Sequence, residues 1–240
     1  MSKLNKFIQE LKDIFGISLK SVFIYGSKAL SDAKQPENDV DLMVITDTLS
    51  GEDIRKCSKA SKDWIYEGRI FKRAVNPAPI FMSEKEWRNS ADVYAMEYAD
   101  IKANHRIIYG ENLICDVSVD KEDLRLECEL QTKNLLMRFR NHYLLYSGNT
   151  AELQKSIVPV TKTLNAVFKT VLRLKNIEVS MSPHENLNKV HEIFDINKKL
   201  YEQLLCAKEK YCRLKKQEAV EIADEIVFEL QKLLGYINNL

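Results

Sequence analysis

Scarcities in this sequence close off several classes of protein. Cysteine occurs five times, at Cys57, Cys115, Cys128, Cys206 and Cys212, an odd set without a C-x-x-C pair. Such a set reads as reduced thiols rather than a disulfide framework or zinc site, and the cytoplasm is the compartment it fits. No apolar run approaches the roughly 18 residues of a membrane span. The amino terminus, MSKLNKFIQELKDIFG, is charged throughout, so no exporting or anchoring segment is expected. An excess of one charge is missing too: 36 Lys and Arg face 35 Asp and Glu, for a net charge of +1. That balance lacks the basic field of a nucleic-acid binder, and a polynucleotide partner is not expected. His105, His184 and His191 show no mutual spacing of a transition-metal site, and the chain has no repeat or low-complexity segment.

What is present is a 45% hydrophobic content over 240 residues, enough for one large domain or two small ones. Leu4, Phe7, Ile8, Leu11, Ile14 and Phe15 recur at helical spacing between a Ser2 cap and a Gly16 stop. Val22-Phe23-Ile24-Tyr25 is a short β-prone run closed by Gly26, and from Asp39 to Thr46 apolar residues alternate as in a strand. A helix from Ser50 or Gly51 to Tyr66 follows. The 69–82 stretch reads as a third strand interrupted by Pro77 and Pro79, with Pro79-Ile80-Phe81-Met82 as its core. Val93 to Tyr98 alternates and places Glu97 among apolar neighbours, and Arg106 to Gly110 closes the α/β part.

From Asp120 the periodicity becomes helical and stays so. Asp120 caps a helix through Tyr146, Gly148-Asn149 breaks it, and a second helix covers about 151–175 with a kink at Pro159. Ser182-Pro183-His184-Glu185 has the form of a capping box opening a third helix that ends near Phe194. A fourth carries Leu200, Leu204 and Leu205, and a long terminal one runs from Ala219 to Ile237. The expected architecture is an α/β (α+β) domain with a mixed sheet over residues 1–115, followed by an all-α helical bundle over 116–240.

Chemistry is spelled out between Ser21 and Asp47. Asp39 and Asp41, alternate residues at the head of an apolar strand, are expected to share one face with Cα atoms roughly 6.6 Å apart. Aspartate is disfavoured in strands, and such a conflict with local propensity is expected at functional sites. An oxygen-only pair suits Mg²⁺, a hard ion usually completed by water and substrate phosphates. Gly26 lets backbone amides approach a phosphate, while Ser27 and Lys28 add a hydroxyl and a positive charge.

Gly26-Ser27, eleven intervening residues and then Asp39-Val40-Asp41-Leu42 resemble the signature of the nucleotidyltransferase superfamily with the DNA polymerase β fold. The resemblance implies that Asp39 and Asp41 hold Mg²⁺ and that Gly26, Ser27 and Lys28 seat a nucleoside triphosphate. It also implies transfer of a nucleoside monophosphate to an acceptor hydroxyl. In that superfamily a third carboxylate sits on a later strand, but the 69–82 stretch offers none before Glu84. Glu97 is a candidate third ligand, or else a rim glutamate paired with a basic residue.

With its helical second half, the chain is similar to the two-domain nucleotidyltransferases that modify small antibiotics, the kanamycin enzyme among them. That likeness implies a base glutamate and a phosphate-contacting lysine in the helical half, which Glu129 and Lys133 match in type and spacing. The same pair, four residues apart on a helix, also reads as a surface ion pair. Arg138, Arg140 and His142 invite comparison with HEPN ribonucleases, which separate arginine and histidine by four to six residues. Here Arg138 and His142 have three between them and Arg140 and His142 one. The expected partners are a nucleoside triphosphate and a small-molecule acceptor, with a homodimer compatible. The alternative is a regulatory nucleotidyltransferase/HEPN-like protein acting on or with a partner protein.

Overall fold

Local hydrogen-bond chemistry sets the element boundaries. In the computed structural model, which describes residues 2–30, 38–68, 72–210 and 216–240 and only the backbone at 157–158, 207–210 and 216–217, Ser2 caps helix α1 (Lys3–Phe15) by accepting the Asn5 N–H. Gly16, with φ 52°, ends that helix. Strand β1 (Leu19–Tyr25) and strand β2 (Asp41–Thr46) follow. Helix α2 (Gly51–Ile65) opens on a reciprocal capping box between Ser50 and Asp53. Short strands β3 (Tyr66–Glu67) and β4 (Arg73–Ala74) pair with each other. Strand β5 (Ile80–Ser83), helix α3 (Glu84–Arg88), helix α4 (Ala95–Ala103) and strand β6 (His105–Gly110) complete this half.

The main sheet has the order β5-β2-β1-β6, with β5 parallel to β2 and the other pairs antiparallel, so it is mixed. Alternation gives it two buried faces. Val22, Ile24, Leu42 and Val44 pack with Phe7 and Leu11 of α1 and with Ala60 and Trp64 of α2. Phe23, Met43 and Ile45 pack on the other face with Trp87 of α3, Tyr98 and Ile101 of α4, and with Ile114 and Val117. Trp87 Nε1 donates to the Leu113 carbonyl at 3.0 Å, and the Tyr98 hydroxyl donates to the Trp87 carbonyl at 2.7 Å. These bonds satisfy the polar ends of two buried aromatic side chains.

Two expectations are corrected. The 93–98 stretch is not extended: residues 95–103 form α4, with Ala95, Met96, Tyr98 and Ile101 buried. Six alternating residues cannot separate a strand from a helix that is apolar over much of its circumference. Asp39 is not a strand residue: β2 begins at Asp41, and Asp39 has φ 57°, in the left-handed region. Strand alternation therefore does not relate the two carboxylates. The start of the expected 69–82 strand, and Cys212, lie outside the described residues.

The chain divides into two compact units, Met1–Val119 and Asp120–Leu240. The second is helical: α5 (Lys121–Tyr146, capped by Asp120), α6 (Thr150–Leu174, with Pro159 inside it), α7 (Pro183–Ile193), α8 (Lys198–Lys210) and α9 (Lys216–Ile237). Its core includes Leu164, Val167 and Leu172 of α6, Leu200 of α8, and Leu230 and Leu233 of α9. The Ser182 hydroxyl accepts the Glu185 N–H, whereas the Glu185 carboxylate bonds the Ser180 hydroxyl, so only half of the expected capping box forms.

Candidate active site

Register assembles the site at one end of the sheet. Asp41 is the cross-strand partner of Tyr25, and Tyr25 is the partner of His105 on the other side, so the three side chains form a row across β2, β1 and β6. Cross-strand partners share a face, here the one covered by α4, since Tyr25 packs against the cluster containing Phe23, Met43 and Ile45. The row ends the apolar part of the sheet.

Directly after Tyr25 the chain turns through a single 3₁₀ turn, Gly26–Lys28, closed by the Ala29 N–H on the Gly26 carbonyl at 3.1 Å. Gly26 has φ 73°, a conformation costing an ordinary residue about 1–2 kcal/mol. A Cβ placed there would lie 3.6 Å from the Asp41 Oδ2 atom. The two halves of the sequence pattern, separated by eleven residues, thus lie side by side with room for about one methyl group between Gly26 and the Asp41 carboxylate. The Gly26 N–H is held by the Asn104 carbonyl at 3.0 Å, Ser27 is exposed and Lys28 is half-buried.

Asp39 precedes the strand in the left-handed conformation that aspartate tolerates better than most residues. Its N–H donates to the Val75 carbonyl at 2.8 Å, its side chain is exposed, and Val40 after it is fully buried.

Glu97 stands on a helix rather than a strand. It stands exposed in the first turn of α4, one turn after Tyr94. The Tyr25 phenol is pushed up to about 12, first by burial and then by the negative charges of Asp41 and Glu97. Among the described residues, no group of three or more His, Cys, Asp or Glu side chains is arranged to hold a metal ion by itself. An acidic pair beside a glycine turn instead suits Mg²⁺ held partly by protein and partly by substrate phosphates.

Strand β5 carries Ile80, Phe81, Met82 and Ser83 and no carboxylate, and Glu84 beyond it is tied to Arg88 at 2.8 Å. In the helical unit, Glu129 lies between Arg125 and Lys133, one turn to either side on α5. Its carboxylate accepts from Arg125 Nη1 at 3.1 Å and from Lys133 Nζ. Arg125 also binds Glu122 at 2.7 Å. The hydrogen bond from Lys133, then that from Arg125, and lastly their charges hold Glu129 below the usual carboxylate range. Arg138 and Arg140 are exposed, and the His142 ring lies 4.6 Å from that of Tyr146.

Sequence reasoning passed over Tyr25 and His105, whose contribution follows from register. It also missed α3 and the Trp87 anchor, although Ser83-x-x-Glu86 is a capping-box pattern and forms one here.

At the level of sequence, no family model and no curated protein matches the chain. Solved structures do resemble it. The spectinomycin adenyltransferase AAD(9) from Enterococcus faecialis, solved with ATP and spectinomycin, matches at a TM-score of 0.57 and 14% identity, covering 96% of this chain and 98% of its own. A nucleotidyltransferase-like protein from Exiguobacterium sibiricum 255-15 matches at a TM-score of 0.42 and 15% identity, over 98% of this chain and 74% of that one. The likeness to the first shows the fold: a mixed-sheet α+β unit followed by a helical bundle.

Proposed function

We propose that the chain is a nucleotidyltransferase that moves a nucleoside monophosphate from a nucleoside triphosphate to a hydroxyl of a small-molecule acceptor. The observation that carries this reading is the proximity of the halves of the motif, with the Asp41 carboxylate 3.6 Å from where a Cβ would stand at Gly26. Asp39 and Asp41 would hold Mg²⁺, and Gly26, Ser27 and Lys28 would seat the triphosphate. When bound, the ion supplies charge neutralisation to the phosphate oxygens. In the reaction the acceptor oxygen bonds to the α-phosphorus, the bond from that phosphorus to the bridging oxygen breaks, and pyrophosphate leaves. The hydroxyl proton goes to a carboxylate base.

Glu97 suits the base role better than Glu129. Glu97 is exposed, whereas both oxygens of Glu129 accept from cations. Glu129 could take a proton only after releasing Lys133 or Arg125, and Lys133 could contact a phosphate only after releasing Glu129. ATP is the first donor to try and spectinomycin the first acceptor, because the structurally similar enzyme was solved with both.

The test is calorimetry of ATP with wild type and with Asp41→Asn, with and without Mg²⁺. Binding to the wild type that needs Mg²⁺ and disappears in Asp41→Asn supports the reading, and wild-type affinity indifferent to Mg²⁺ defeats it. One observation favours the regulatory alternative. On α5, Leu126, Leu130, Met137 and Leu144 recur on one helical face and are 49%, 55%, 62% and 80% exposed, an apolar surface that a partner protein could cover.

A further inference from the structure

A buried polar side chain stands behind the Asp39-Val40-Asp41 segment. Asn76 is only 4% exposed, lying just after β4 and ahead of Pro77. Its Oδ1 accepts the Val40 N–H at 3.1 Å, and its Nδ2 donates to the Trp64 carbonyl at 3.2 Å. The neighbouring backbone joins the same arrangement. The Val75 carbonyl accepts the Asp39 N–H at 2.8 Å, while the Val75 and Asn76 N–H groups donate to the Ile65 carbonyl at 2.8 and 3.3 Å. Residues 75–76 are thus hydrogen-bonded to the carboxyl end of α2 on one side and to two successive amides of the acidic motif on the other.

We infer that Asn76 is a positioning residue for the Asp39/Asp41 pair, fixing the backbone from which both carboxylates project; this inference rests on the nucleotidyl-transfer reading of that pair. The residue type follows from the partners. Val40 offers only a donor and Trp64 only an acceptor, so the side chain between them must both accept and donate from one planar group. Aspartate lacks the donor, leucine lacks both functions, and serine is too short to span the two. The same partners fix which end of the amide faces the motif.

The segment has a use for such a clamp. Asp39 has positive φ without being glycine, a state that persists only where its surroundings over-determine it. Here one bond fixes the amide of Asp39, one fixes the amide of Val40, and the Val40 side chain is fully buried among Val22, Ile24 and Trp64. Both flanks of the Asp39 φ/ψ pair are therefore pinned, and β2 starts in register at Asp41 opposite Tyr25. Asn76 meets the motif at the Val40 amide. It acts through the main chain, as the partners behind a ligand act at metal centres, where their loss typically costs about 10–100-fold in metal affinity.

The experiment has two readouts. Amide hydrogen exchange on the wild type should show the Val40 amide protected like those of β2, although it lies outside the strand. Asn76→Ala should raise exchange at residues 39–41 by roughly tenfold or more, the worth of a lost buried hydrogen bond, while Val44 and Ile45 stay protected. The Mg²⁺ concentration that half-saturates ATP binding should rise about 10–100-fold in the same variant. Cys57→Ala, a truncation in the α2 core, is the stability control and should leave the Mg²⁺ requirement unchanged. The inference is overturned by a Val40 amide that exchanges freely in the wild type, a result that needs no folded variant. Unchanged exchange in Asn76→Ala overturns it too, as does fast local exchange with an unaltered Mg²⁺ requirement. If the wild type binds ATP without regard to Mg²⁺, the nucleotidyl-transfer reading fails while the exchange measurements still decide the clamp.

Discussion

The two halves of the chain hold their acidic groups in opposite ways. On α5, Glu129 is held by Arg125 and Lys133, four residues to either side on its own helix. In the amino-terminal unit, the backbone carrying Asp39 and Asp41 is held by Val75 and Asn76, 36 residues further along for each bond. A locally satisfied carboxylate sits below its usual range and has little left to offer a ligand. The second unit carries an ion-pair ladder, and the first holds its acidic motif through bonds across the fold.

The strongest way to break that contrast is to neutralise each side in turn. Asp39→Asn or Asp41→Asn should abolish Mg²⁺-dependent ATP binding and transfer while leaving the unfolding midpoint near that of the wild type, as followed by calorimetry and circular dichroism. Retained transfer in both variants would move the chemistry elsewhere.

Glu97→Gln comes next. Turnover should fall by roughly the 10²- to 10⁴-fold that loss of a general base costs, with ATP affinity little changed. Glu129→Gln under the same assay should keep its turnover. A large loss in Glu129→Gln with none in Glu97→Gln would exchange the two assignments and make the α5 pair the catalytic one.

Gly26→Ala sharpens the geometric side of the comparison. The left-handed backbone should cost about 1–2 kcal/mol in stability, and the added methyl group, 3.6 Å from the Asp41 carboxylate, should weaken ATP binding beyond that loss. Denaturant titration and calorimetry on one preparation separate the two effects.

The smallest effects belong to the ladder. Each of its ion pairs is worth about 0.2–0.5 kcal/mol on a helix surface, and Lys133→Ala should lower stability by no more than that. The sign of its pH dependence follows from Glu129, whose carboxyl is held low by Lys133 and Arg125. The contribution is fully present above the unfolded value of about 4.3 and is lost as pH falls through the lower folded value. Acid titration should show that loss in the wild type and not in Glu129→Gln, and salt should reduce it.

Much of the architecture was legible because it is written in neighbouring residues. Ser2 and Gly16 bound α1, Ser50 opens α2, Asp120 opens α5, and Ser182-Pro183 opens α7. In each case a side chain or a glycine satisfies groups within a turn of itself, so sequence spacing carries the information. The 93–98 stretch failed for the same reason, since six residues of alternation do not fix a period when the element is buried on most sides.

By itself the sequence determined the caps, the strands flanking Gly26, the change to helical periodicity at Asp120, and the pairing of Gly26-Ser27 with Asp39-x-Asp41 as a pattern. All of these depend on interactions a few residues long or on residue type. Only the tertiary structure decided that Asp39 lies outside the strand with φ 57°, that Glu97 stands on a helix, and that the Asn76 side chain accepts the Val40 amide. Those facts depend on strand register and on hydrogen bonds spanning tens of residues, where the energy comes from burying polar groups with a partner that no local rule can name.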